Sequence, residues 1–264
     1  MSVWTRNNIQ VSGAGSTPMV LAHGYGCDQN VWRFITPAFE ERYKLILFDH
    51  VGAGQSDLSA YSFEKYTTLR AYADDLLEIC AELKVQNGIF VGHSVSAMIG
   101  VLAAIQTPQH FQKLVLIGPS PRYVNDPQYI GGFSREDIDG LLELLDSNHL
   151  GWAATMAPAI MGNPERPELG EELANSFCRT DPEIARQFAR VTFLSDNRTD
   201  LPLLTIPSLI LQCADDVCAP RAVGEYLHRE LRASEIVFLH ARGHCPHLSE
   251  PAEMVEAMCA FLDR

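Results

Sequence analysis

The run Val91-Gly92-His93-Ser94-Val95-Ser96-Ala97-Met98-Ile99-Gly100 decides the fold. It follows the apolar segment Gly88-Ile89-Phe90-Val91 and leads into Val101, Leu102, Ala103 and Ala104, a continuous apolar stretch that reads as a buried helix. A strand, a tight turn holding Gly92 and Ser94, then a helix is the setting of a nucleophile elbow. Small neighbours let the backbone turn sharply, so the serine hydroxyl stands clear of the sheet edge. A helix starting just after Ser94 brings backbone N–H groups and a positive dipole end toward the reacting atoms. The common pattern is G-x-S-x-G, and here Ser96 stands where the last glycine would be. Gly-x-Ser turns also occur without chemistry, so the rest of the chain must supply the partners.

Upstream, a short polar–apolar alternation at Asn8 to Val11 predicts an edge strand, and Pro18–Ala22 a buried strand ending in His23-Gly24-Tyr25-Gly26. Tyr43–Phe48 is the next strand, followed by the glycine-rich Asp49–Asp57. Apolar residues at 69, 72, 73, 76, 77, 80 and 83 form a helical stripe, and Lys113–Ile117 is a strand beyond the elbow. Strands and helices that alternate through short loops predict a parallel sheet covered on both faces. Between about 134 and 197 the alternation stops, leaving four helical segments; Asp181-Pro182 is an N-cap and first-turn proline that opens the fourth. Strands at 208–212 and 235–239 and helices near 221–231 and 251–262 resume the pattern. The expected architecture is a single α/β domain over 1–264. Its core covers about 1–133 and 198–264, with a four-helix cap at about 134–197 inserted after the sixth strand.

The 264 residues, 47% hydrophobic and 20% charged, are enough to bury a sizeable core. A net charge of −13 argues against nucleic acid or an anionic membrane as partner. The N-terminus lacks the apolar core of a signal peptide, and no apolar run approaches a membrane span. Seven scattered cysteines do not make a disulfide framework, which fits a reduced cytoplasm. Cys213 with Cys218, and His244 with His247, lack the spacing of a redox or metal pair; packing is their expected role, and no cofactor or metal is expected.

A serine nucleophile needs a base, and the base an orienting acid. Strand 208–212 runs into Cys-Ala-Asp215-Asp216-Val-Cys-Ala-Pro220, and strand 235–239 into His240-Ala-Arg-Gly243-His244-Cys-Pro-His247. Both loops leave carboxyl ends of parallel strands, where ligand sites form in open α/β sheets. Asp216, four residues before Pro220, is favoured over Asp215, which would cap or brace the loop. His244, directly after Gly243, is favoured over His240 at the strand end and His247 beyond Pro246. The oxyanion of a carbonyl substrate would be held by the N–H groups of Tyr25 and Val95. Asp49–Ser56 lacks the Lys-Ser/Thr of a phosphate loop and reads as a structural turn beside the site.

Together the elbow, His-Gly-Tyr-Gly, the Asp49–Ser56 turn, the late aspartate and the late histidine resemble the α/β-hydrolase superfamily. The likeness is nearest to the RsbQ-like hydrolases, which act upstream of a bacterial general-stress sigma factor. It runs almost end to end, through Ile117–Pro127, Thr180–Ala189, Leu209–Asp216 and Ala241–His247. The elbow is also similar to the plant strigolactone and karrikin receptors. A glycine is expected at Ser96 in RsbQ-like chains, and a phenylalanine is usual in the family at Tyr25. The resemblance implies Ser94 as nucleophile, His244 as base and Asp216 as its orienter. It further implies a buried apolar pocket under the cap, lined by Phe133, Trp152, Met156, Phe193 and Val217. The implied activity is hydrolysis of a small lipophilic ester, lactone or related carbonyl compound. The implied setting is an RsbQ-like role in stress signalling; in the alternative reading, the protein is a ligand sensor whose slow or single-turnover hydrolysis activates a partner protein such as a PAS-containing phosphatase.

Overall fold

The computed structural model describes residues 2–264. Seven strands form one sheet: β1 (Gln10–Ser12), β2 (Thr17–Ala22), β3 (Tyr43–Phe48), β4 (Gly88–His93), β5 (Phe111–Ile117), β6 (Ser208–Gln212) and β7 (Ser234–Phe238). Their spatial order is β1-β3-β2-β4-β5-β6-β7, and every pairing is parallel except that of β1 with β3. The helices are α1 (Val3–Arg6), α2 (Leu69–Glu82), α3 (Val95–Gln106), α4 (Arg135–Ser147), α5 (His149–Met161), α6 (Pro167–Arg179), α7 (Pro182–Phe193), α8 (Arg221–Glu230), α9 (Pro246–Ser249) and α10 (Pro251–Leu262).

The central strands are apolar throughout because both their faces are covered. Met19, Leu21, Ile89, Val91, Val115 and Ile117 enter one buried cluster, while their neighbours Val20, Ala22, Phe90, Leu114 and Leu116 enter another. This alternation is the two-residue period of a pleated strand applied to two cores.

The four helical segments expected between 134 and 197 are α4 to α7, and sequence signals set their starts. Ser134 and Asp137 make a capping box, Asn148 accepts from the Gly151 N–H, and the Asp181 carboxylate accepts from the N–H groups of Glu183 and Ile184. Trp152, Phe177 and Phe193 from this insertion pack in the same cluster as β2, β4 and β5. The insertion follows the fifth strand, not the sixth. Among the described residues five strands, β1 to β5, precede α4, and β6 and β7 follow α7.

Candidate active site

Ser94 sits between β4 and α3 with φ 56° and ψ −123°, a conformation that costs an L-residue strain energy and persists only where its surroundings enforce it. Three features enforce it here. The Ser94 N–H donates to the Ile117 carbonyl at 2.8 Å, tying the turn to β5. A Cβ on Gly92 would lie 2.7 Å from the Ser96 carbonyl oxygen, so only glycine lets the strand close so tightly on the helix. The Ser96 hydroxyl donates to the His23 carbonyl and accepts from His50 Nε2 at 2.7 Å, in a buried chain that joins the elbow to the end of β2. His23 Nε2 in turn accepts from the His50 backbone N–H at 3.1 Å. Ser96 is thus a joint between loops, and its side chain makes bonds that a glycine there could not.

Asp216 and His244 arrive on the loops after β6 and β7. The Ser94 hydroxyl donates to His244 Nε2 at 2.7 Å, and His244 Nδ1 donates to Asp216 Oδ2 at 2.7 Å. All three residues are buried. The other carboxylate oxygen of Asp216 accepts the N–H groups of Cys218 at 2.8 Å and Ala219 at 3.0 Å, which fixes the carboxylate plane. The backbone of His244 is held from the insertion, its N–H donating to the Ile160 carbonyl at 2.8 Å. The competing residues lie elsewhere. Asp215 is exposed and pairs with Arg242, bracing the loop; His240 is exposed and bonds Glu253; His247 is fully buried and packs on Trp32.

The loop after β2 passes against the nucleophile: a Cβ on Gly24 would come within 2.6 Å of His93 Nδ1 and 3.3 Å of the Ser94 Cβ. Tyr25 follows directly. Val95 is the first residue of α3, where a helix leaves its N–H groups without intrahelical partners. Neither the Tyr25 nor the Val95 N–H donates within the chain among the described residues. Both are free to meet a developing negative charge.

A narrow, mostly apolar cavity of about 30 Å³ opens on Ser94 and His244. Of the five residues expected to line it, only Phe193 does. Trp152 lies one layer back, wholly buried against the rings of Tyr25 and Phe177. Val217 is 48% exposed, because Asp216 turns inward to His244 and the next side chain is left facing out. Phe133 and Met156 pack against the core cluster away from the cavity, with Phe133 bridged to Val124. The walls are instead Tyr123, Ile160, Leu173, Phe177 and Thr192, together with the thiols of Cys27, Cys218 and Cys245. Burial pushes the Cys27 thiol up to about 12, and those of Cys218 and Cys245 well above their ordinary value. A sequence signal for the thiols existed: each lies within two residues of Tyr25, Asp216 or His244. The helical stripes that hold Phe177 and Thr192 carry no comparable signal.

A strained serine, a histidine and carboxylate in series, and two free amides at the carboxyl edge of a parallel sheet are the layout of a serine hydrolase. Residues 19–257 match the alpha/beta hydrolase family, and the chain belongs to that family. It is 40% identical over 253 residues to the Karrikin insensitive 2 receptor CA of Petunia hybrida, covering 96% of this chain and 94% of that one. To a probable esterase of Oryza sativa subsp. japonica it is 43% identical over 247 residues, covering 93% and 91%. A strigolactone esterase of Arabidopsis thaliana matches at 40% identity, covering 97% and 96%. Among solved structures, a hydrolase from Oleispira antarctica superposes with a TM-score of 0.97 at 41% identity, covering 99% of this chain and 96% of that one. No helix among the described residues is long and apolar enough to cross a membrane.

Proposed function

We propose that this chain is a serine hydrolase of small, lipophilic esters or lactones. The observation that carries the reading is the unbroken hydrogen-bonded series from Ser94 through His244 to Asp216 at the mouth of an apolar cavity. Ser94 attacks the carbonyl carbon while His244 Nε2 takes its proton, and Asp216 holds the imidazole in the tautomer that can do so. The Tyr25 and Val95 amides stabilise the oxyanion. His244 then returns the proton to the departing alkoxide, leaving an acyl group on Ser94. Water, deprotonated by His244, releases that group as the acid. For a lactone, alcohol and acid leave as one opened molecule.

A second reading is favoured by relatives near 40% identity named as receptors as well as esterases. In it the chain senses its ligand through slow or single turnover and passes the result to a protein partner. The RsbQ-like stretches at 117–127, 180–189 and 241–247 favour a PAS-containing phosphatase as that partner, in a bacterial stress pathway. Seven free cysteines suit the reduced cytoplasm in which such a pathway works.

The test incubates wild type and Ser94→Ala with a short-chain nitrophenyl ester and a synthetic butenolide, following product release and intact mass. Rapid turnover that falls about 10⁴-fold in the variant supports the hydrolase reading. Slow release with a persistent adduct on Ser94 or His244 supports the sensor. Equal turnover by the Ser94→Ala variant removes the catalytic assignment.

A further inference from the structure

Tyr25 has two ends with different neighbours. Its backbone follows Gly24, which touches His93 and Ser94. Its ring lies among four aromatic rings from three helices of the insertion: Trp152 at 5.8 Å on α5, Phe177 at 6.0 Å on α6, and Phe188 at 5.6 Å and Phe193 at 6.1 Å on α7. The phenol donates to the Ala185 carbonyl of α7 at 3.0 Å. The next residue is held as well, since the Ser176 hydroxyl of α6 donates to the Gly26 carbonyl at 2.8 Å. A Cβ on Gly26, whose φ is +68°, would strike the Phe177 ring at 2.3 Å, so the loop and α6 are in direct contact.

We propose that Tyr25 is a latch that makes the oxyanion site depend on the seating of the helical insertion, a positioning role for its phenol distinct from the amide it carries. The inference rests on the serine-hydrolase reading of the Ser94 site. The cavity is narrow and its walls include Ile160 of α5, Leu173 and Phe177 of α6, and Thr192 and Phe193 of α7, so an ester that enters presses on the helices above it. Moving α7 pulls on the Tyr25 hydroxyl. The ring transmits that pull through one Cα to the amide beside Ser94, because four rings and a hydrogen bond to Ala185 limit its freedom to absorb it. With the insertion raised, the oxyanion donor is turned away; with it seated on a ligand that fits, the donor is aimed. A ligand that cannot be enclosed would bind and yet react slowly. Oxyanion donors act on the transition state and not on the bound ester, so the latch shows in kcat more than in KM.

Tyr25→Phe keeps the ring, the amide and the packing and removes only the hydroxyl. The expected result is a kcat for the nitrophenyl ester lowered about five- to tenfold with KM within twofold. A boronic acid that occupies the oxyanion site should bind correspondingly less tightly, with binding of the product acid unchanged. Amides of 24–27 and 184–188 should exchange hydrogen faster in the variant, a readout that needs no turnover. If kcat, boronate affinity and exchange are all as in wild type, the phenol merely packs and the latch is overturned. A wild type whose Ser94 neither turns over ester nor forms a boronate adduct would overturn the hydrolase reading. In that case unchanged exchange in Tyr25→Phe still overturns the latch, and faster exchange at both segments still supports the coupling of loop to helix.

Discussion

His93 donates from Nε2 to the backbone carbonyl of His244 at 2.8 Å. The residue before Ser94 thus fixes the backbone of His244. The two rings also pack, with centroids 4.9 Å apart. The bond leaves His93 Nδ1 unpartnered and facing Gly24, where a side chain would collide with it. The Ser94 turn and the loops after β7 and β2 therefore meet at a single imidazole, and the distance from Ser94 to His244 is set by backbone contacts as well as by their own hydrogen bond.

Asp216→Asn should leave the fold intact and remove most of the activity. An amide presents either its oxygen or its NH₂ to His244 Nδ1, while the Cys218 and Ala219 N–H groups demand the oxygen for themselves. The NH₂ group then faces the imidazole and stabilises the tautomer that cannot accept the Ser94 proton. A fall in kcat on the order of 10³–10⁴-fold is expected, with little change in KM. Steady-state kinetics on the nitrophenyl ester check it, and a loss under tenfold would mean that Asp216 is not the orienter.

Ser96→Gly restores the residue more common at this point of the elbow, yet it should destabilise this chain. It deletes the acceptor of the buried His50 Nε2–H and the donor to the His23 carbonyl. A buried donor left unpaired costs about 1–3 kcal/mol. Urea denaturation of the two proteins measures the difference, and a variant as stable as wild type would show that the network contributes nothing.

Stability should fall on the acid side, beginning near neutrality. Desolvation holds His50 and His93 well below the ordinary imidazole value and His247 down to about 3. Folded, these rings stay neutral; unfolded, each takes a proton below pH ~6.5. The unfolded state therefore binds more protons between about pH 6.5 and 3, and stability declines as pH drops through that window by up to ~1.4 kcal/mol per unit for each ring. Above pH 7 these groups contribute no slope. Denaturation midpoints at pH 7.5, 6.5, 5.5 and 4.5 check this for wild type and His247→Leu. The variant should lose one ring's share of the slope, and parallel curves would speak against the assignment.

Much of the fold and the triad is legible in the chain because the informative residues are local. Ser94, Asp216 and His244 each stand at a strand exit, and three of the four helices of the insertion carry side-chain caps, at Ser134, Asn148 and Asp181, of which the Asp181-Pro182 pair is the plainest in the sequence. The cavity wall is not legible, since it is built where separate helices converge and periodicity gives a face without saying what that face meets. Trp152 and Phe193 look alike as apolar stripe residues, yet one backs the wall and the other forms it. Val217 falls outside the wall for a different reason: a two-residue alternation does not survive a loop whose direction is dictated by Asp216. The role of Ser96 depends on His23 and His50, which lie 73 and 46 residues away, beyond the reach of any local pattern.

The thiols that wall the cavity have a consequence for chemical selectivity. An electrophile that enters meets the thiols of Cys27, Cys218 and Cys245 as well as the Ser94 hydroxyl, and a free thiolate would outcompete a hydroxyl. Burial keeps each sulfur protonated, while the hydroxyl alone has an imidazole to receive its proton. On the proposed reading the Ser94 hydroxyl is thereby favoured over the three thiols, and an acylating ligand is directed to oxygen in preference to sulfur.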